Sequence, residues 1–131
     1  MEAIYDQIGT GYTVTRCTDP KIEAQIKDEQ INAKNIIDIG AGSGSYEPKG
    51  VNLVAVEPSI EMINQRGTHS YPVKQAKADK LPFPDNSFSH AMTVLSMHHW
   101  ENRQQAFYEI KRVTTTTKFI AIKWLPDAAP F

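Results

Sequence analysis

The chain has 131 residues, 40% of them hydrophobic and 22% charged, which is the size and composition of one globular domain. Fourteen Lys and Arg against fifteen Asp and Glu leave a formal charge of -1, so no global field draws in a polyanion, and nucleic acid is disfavoured as a partner. With a lone Cys17, no basic or apolar leader run at the N-terminus, and no apolar stretch near the ~20 residues a membrane-crossing helix needs, the chain reads as one soluble cytoplasmic domain over 1–131 without a membrane partner.

Residues 20–34 intersperse Ile22, Ile26 and Ile31 with charges, and Pro20 suits a first helical turn, so an amphipathic helix is predicted there. Residues 35–39, Asn-Ile-Ile-Asp-Ile, form a short apolar run stopped by glycine, the pattern of a strand buried on both faces. A second such run, 51–56, ends at Glu57-Pro58, after which Ser59 can cap a helix through Met62 to Arg66. Residues 73–78 are a weaker third strand, and Pro82 and Pro84 make 81–86 a loop, since proline cannot serve a ladder. Ser89 to Met97 is the fourth strand. Glu101 to Val113 carries Ala106, Phe107, Ile110 and Val113 at helical spacing, a stripe expected to face the sheet, and Thr114 to Thr117 close it. The fifth strand is Lys118 to Trp124. Strands alternating with helices predict an α/β fold whose ligands bind at the carboxyl ends of the strands.

The segment Asp38-Ile39-Gly40-Ala41-Gly42-Ser43-Gly44 leaves the first strand directly. Its glycines permit a tight turn and the approach of backbone N–H groups to a ligand. Alone this could be a plain strand-to-helix turn, and Glu57 alone a solvated strand-end carboxylate. Together they are more specific, because Glu57 closes the next strand, where a carboxylate can accept bonds from both hydroxyls of a ribose. The spacing G-x-G-x-G differs from the G-x-G-x-x-G of dinucleotide sites, and Asp38 at the head of the loop would repel a phosphate. His69 and His90 lack a carboxylate at ligand spacing, so no metal is expected.

The segments IIDIGAGSG, VAVEPS, ADKLPFPDNSF and VLSMHHW occur in order over residues 36 to 113. In them the chain resembles class I S-adenosylmethionine-dependent methyltransferases, in particular the small-molecule enzymes related to quinone and antibiotic biosynthesis. The resemblance implies a Rossmann-like three-layer fold with a parallel sheet of about five strands in the order 3-2-1-4-5. It implies S-adenosyl-L-methionine as cofactor, S-adenosyl-L-homocysteine as product and a small-molecule methyl acceptor. Asp38, Gly40, Ala41, Gly42 and Gly44 would hold the methionine moiety, Glu57 the ribose, and Pro58 the edge of the adenine. Relatives read the adenine with an acid where Lys77 stands here, which leaves Asp79 and, better, the Ala78 backbone. Leu95 and the following His98 and His99 reach the acceptor position, the two histidines being the candidate general bases. Tyr5 and Tyr12 in segment 1–19 resemble lid residues that fold over bound cofactor.

Two departures from the family pattern matter. Only residues 45–50 separate the glycine loop from the second strand, too few for the usual crossover helix, which must be a turn or absent. The chain also stops at Phe131, so the last two strands of a full class I sheet are expected to be missing, leaving 118–124 as an apolar edge that a second copy or another chain would cover. Two alternative functions stay open: a non-catalytic or partner-dependent cofactor-binding subunit, and a tRNA-modifying methyltransferase, suggested by the short crossover and the His98-His99 pair.

Overall fold

A computed structural model describes residues 20–29, 34–68, 70–94, 100–115 and 119–122. In chain order the elements are α1 (Pro20–Glu29), β1 (Ile36–Ile39), β2 (Leu53–Val56), α2 (Ile60–Asn64), β3 (Val73–Lys74), β4 (His90–Val94), α3 (Arg103–Val113) and β5 (Phe119–Ile122). The five strands form one sheet in the order β3-β2-β1-β4-β5, and every neighbouring pair is parallel. This is the Rossmann-like order the sequence led us to expect.

β1 is buried along its whole length because it is the middle strand and both its faces are covered. Ile37 and Ile39 point to one side, where they join Val56, Ala91 and Phe88 beneath Ala106, Ile110 and Val113 of α3. Ile36 points to the other, with Leu53, Ala55 and Met92, under Ile26 of α1. Asp38 shares the parity of Ile36, so a carboxyl sits on an otherwise apolar face. Side chains also tie β1 to β4: the Thr93 hydroxyl donates to the Ile39 carbonyl (2.7 Å), and Asn35 accepts from the Ser89 amide (2.7 Å).

Three expectations need adjustment. β3 is two residues rather than six, since β2, its neighbour among the described residues, gives out at Glu57-Pro58 and proline offers no amide to extend the ladder. The last helix starts at Arg103, not Glu101, because the Asn102 side chain caps it by accepting from the Gln105 amide (3.0 Å). Phe107, expected within the sheet-facing stripe, is 41% exposed and meets Trp100 edge-on. It lies one residue round from Ala106, whose i+4 and i+7 partners Ile110 and Val113 form the buried face. The tail of the first predicted helix (30–33), the end of the fourth strand (95–97) and the ends of the fifth (118, 123 and 124) lie outside the described residues.

The proline loop is clamped to α3 by one ion pair. Glu109, buried on the helix, accepts from the Leu81 amide (2.8 Å) and from Arg112 Nε (2.6 Å). Arg112 in turn donates to the carbonyls of Leu81 (3.0 Å) and Phe83 (2.8 Å) and to Asp85 (2.8 Å). The hydrogen bond from Arg112, aided by the Leu81 amide and the guanidinium charge, lowers the Glu109 pKa despite its burial. A carboxylate whose folded pKa lies below its unfolded one contributes stability above the unfolded value, near pH 4.5, and loses it as pH falls through the folded value. Glu109→Gln is therefore expected to lower unfolding free energy by about 1–2 kcal/mol at neutral pH, and urea titrations should show that difference shrinking below about pH 4.

Candidate functional site

The carboxyl ends of β1 and β2 make the site. Beyond Ile39 the chain enters the glycine loop, where Gly40, Gly42 and Gly44 take φ of 68°, 59° and 88°. These values lie in the left-handed region that favours glycine, and they stop the segment from continuing as a helix. Residues 41–50 form successive turns, including Gly44 N to Ala41 O (3.0 Å) and Glu47 N to Gly44 O (3.2 Å). The first crossover helix is absent, as its six-residue allowance requires.

Glu57 fastens this loop. Its Oε1 accepts from the Gly42 amide at 2.7 Å and its Oε2 from the Ser59 amide at 2.8 Å. Ser59 then caps α2 by accepting from the Met62 amide (3.3 Å). One buried carboxylate thus joins the loop, the end of β2 and the start of α2. Gly40 and Ala41 both donate to the Val56 carbonyl (2.9 and 3.0 Å). The expectation that the loop presents its amides to a ligand is therefore corrected: those of Gly40, Ala41, Gly42 and Gly44 are all bonded within the protein. The physical consequence is that this loop is not an anion nest. A carboxylate is an acceptor through both oxygens, the chemistry that hydroxyl donors also use.

Asp38 is buried behind the loop, its carboxyl hydrogen-bonded to that of Glu47. Burial pushes its pKa well above the ordinary carboxylate value; the hydrogen bond and charge of Glu47 push the same way, Arg66 opposes, and Glu57 adds a smaller upward push. Glu47 is gripped bidentately by Arg66, at 2.7 and 3.1 Å, with side chains only 5% and 2% exposed. Arg66 also donates to the carbonyls of Gly42 (3.3 Å) and Tyr71 (3.4 Å), while the Tyr71 hydroxyl donates to the Pro48 carbonyl (2.6 Å). A buried bidentate pair thus fills the place of the missing helix.

Glu47 and Arg66 were not singled out by sequence reasoning. The available signal was the shortened crossover itself: a segment that cannot cover the sheet with a helix must cover it with side chains, and any charged ones need partners. Gly44, expected at the cofactor, faces this pair: a Cβ there would lie 2.8 Å from Glu47 Oε1 and 3.0 Å from Arg66 Nη1.

On the expected adenine side, the Pro58 carbonyl accepts from Gln75 Nε2 (3.1 Å), Ala78 is buried, and Asp79 is half-buried in a turn. Lys77, where relatives carry an acid, makes an exposed ion pair with Glu101 (3.3 Å). Leu95, His98, His99, Tyr5 and Tyr12 lie outside the described residues.

Residues 37–122 match the family described as "Methyltransferase domain". The crystal structure of a protein assigned to an antibiotic biosynthesis pathway of Anabaena variabilis, named as a methyltransferase, superposes with a TM-score of 0.71 at 33% identity, over 76% of this chain and 43% of that one. The uncharacterized methyltransferase YcgJ of Bacillus subtilis is 29% identical over 67% of this chain and 40% of its own. The tRNA (carboxymethyluridine(34)-5-O)-methyltransferase of Schizosaccharomyces pombe is 26% identical over 86% of this chain and 51% of its own. The chain thus spans about two fifths to one half of the length of these relatives.

Gly44 and Gly50 separate backbone strain from crowding, because Gly50 has φ 74° but nothing within 4 Å of a Cβ. Gly50→Ala is expected to cost about 1–2 kcal/mol, the left-handed penalty alone. Gly44→Ala should cost about 1–3 kcal/mol beyond that by prising the buried pair apart; equal losses for the two in chemical denaturation would contradict the packing role.

Proposed function

From the chain's membership of the methyltransferase-domain family, of the class I S-adenosylmethionine-dependent type, we propose that it binds S-adenosyl-L-methionine at the loop 40–44 and transfers the methyl group to a small-molecule acceptor. The observation that carries this reading is the loop chemistry: four loop amides already bonded and three acids, Asp38, Glu47 and Glu57, gathered around it. With those four amides taken the loop disfavours a pyrophosphate, and the site suits a nucleoside whose charged end joins an ammonium and a carboxylate to a sulfonium. The family cofactor fits the residues present: Glu57, a carboxylate at the end of β2, would accept the ribose hydroxyls, Asp38 would face the ammonium, and Pro58, Ala78 and Asp79 would border the adenine. When bound, it supplies the electrophilic methyl group.

The protein's own contribution is alignment. Holding acceptor and methyl in line removes most of the entropic barrier to a displacement, and a base near neutral pK, for which His98 and His99 are the candidates, would take the acceptor's proton. A net charge of -1 supports a small acceptor over a nucleic acid, where phosphate contacts dominate affinity; the tRNA substrate of the Schizosaccharomyces pombe relative is for this reason not extended to the chain. Among the described residues no helix is long and apolar enough to cross a membrane.

Isothermal titration with S-adenosyl-L-homocysteine tests the cradle. The parent should bind saturably. Gly42→Val should lose at least tenfold in affinity, since position 42 has φ 59° and a Cβ would meet Met62 Cε at 3.0 Å. A folded parent that does not bind overturns the proposal, and binding without methyl transfer to any acceptor would favour the partner-dependent subunit. We further propose that β5, the last strand of the order given above, pairs with a second copy of the chain. Light scattering should then report a dimer, and a monomer mass at the same concentrations would count against it.

A further inference from the structure

Asp38 and Glu47 are two buried carboxyls in hydrogen-bond contact, and one guanidinium, Arg66, serves them. Two adjacent carboxylates do not both stay ionised in a buried site. Glu47 is the one whose charge is matched, because both its oxygens receive Arg66 donors at 2.7 and 3.1 Å. Asp38 is the carboxyl left without such a grip, and burial first, then its hydrogen bond with Glu47, push its pKa up. The other groups around Asp38 are Glu57, already holding the amides of Gly42 and Ser59, and the phenols of Tyr46 and Tyr71 on the same face. The α1 residues packed on this face are Ile22 and Ile26, with the charged Lys21, Glu23, Lys27 and Asp28 exposed. The strand neighbours of Asp38 are the apolar Ala55 and Met92.

We infer that Glu47 is a positioning residue for the ammonium end of the cofactor: fixed by Arg66, it holds Asp38 as a neutral acid, and an arriving ammonium displaces the proton of Asp38 to solvent. The inference rests on the cofactor reading proposed above. The charges then balance. Among the groups at Asp38, two protein carboxylates face one guanidinium and one ammonium, where before binding one carboxylate, one guanidinium and one neutral acid stood; the ligand's own carboxylate lies outside this count. The same arrangement explains how a face otherwise made of Ile36, Leu53, Ala55 and Met92 tolerates Asp38 before any ligand arrives.

The test is titration of the full chain with S-adenosyl-L-homocysteine in buffers of different ionisation enthalpy, from about pH 5 to about pH 8. Proton release should approach one per site while Asp38 is protonated, and affinity should then rise with pH, by up to about tenfold per unit, levelling off once Asp38 ionises unaided. 5′-Methylthioadenosine, which lacks the amino-acid end, should bind with no proton release. Glu47→Gln removes the neighbouring acid and leaves Arg66 to Asp38, so the Asp38 pKa falls although burial still raises it, and both proton release and the pH slope should shrink. Homocysteine-compound binding without proton release, equal release with methylthioadenosine, or an unchanged slope in Glu47→Gln each overturns the role of Glu47 and leaves the cofactor reading standing. Should Glu47→Gln not fold, the two-ligand comparison on the parent decides alone. A folded parent that binds neither ligand overturns both the cofactor reading and this inference.

Discussion

The site is organised by one carboxylate. Glu57 receives one amide from the glycine loop and one from the cap of α2, and each is a charge-assisted bond stronger than a neutral one. Without it the loop would be tied down mainly by the Val56 carbonyl, which takes the two preceding amides. The positive φ at Gly42 turns the chain so that its amide reaches Glu57 rather than solvent. Glycines and acid are therefore two halves of one device, which is why the pair was more informative than either alone.

The second constraint is the short connection between β1 and β2. A helix there would have shielded the face of β1 with hydrocarbon; six residues cannot. The chain covers that face instead with Tyr46, Tyr71 and the Glu47–Arg66 pair. A buried ion pair contributes little net stability against an apolar substitute, because desolvating both charges offsets their attraction. What it supplies is fixed geometry, since a planar guanidinium on a carboxylate admits few arrangements. Removing Arg66 would leave Glu47 beside Asp38 with no guanidinium, so Glu47 depends on Arg66.

The architecture was largely legible in the sequence. Short apolar runs, capping residues and prolines act locally, so β1, β2, α2 with its Ser59 cap and α3 could be anticipated, while the strand order followed from the resemblance to class I methyltransferases. Asp38, the glycines and Glu57 do come together at the carboxyl ends of β1 and β2. What was not legible depends on contacts across sequence distance. Nothing periodic marks Glu47 as the partner of Arg66, or Glu109 and Arg112 as the clamp on the proline loop. The commitment of the loop amides also escapes a motif, because G-x-G-x-G specifies permitted φ values and not the direction of each N–H. Phe107 was misplaced for a simpler reason: one residue on a helix is a rotation of about 100°, enough to carry a side chain from core to solvent.

The parallel sheet also sets an order of events in the chain's assembly. β1 meets β2 through residues 17 apart, Ile36 with Leu53, but meets β4 through residues 54 apart, Ile36 with His90. Closing the longer segment costs about 1 kcal/mol more in chain entropy. Asp38, the glycine loop, Glu47, Glu57 and Arg66 all fall within the shorter stretch around β1, β2 and α2. The charged groups around the glycine loop thus belong to a nearly contiguous piece of sequence, able to take shape before the distant strands arrive to complete the hydrophobic layers on β1.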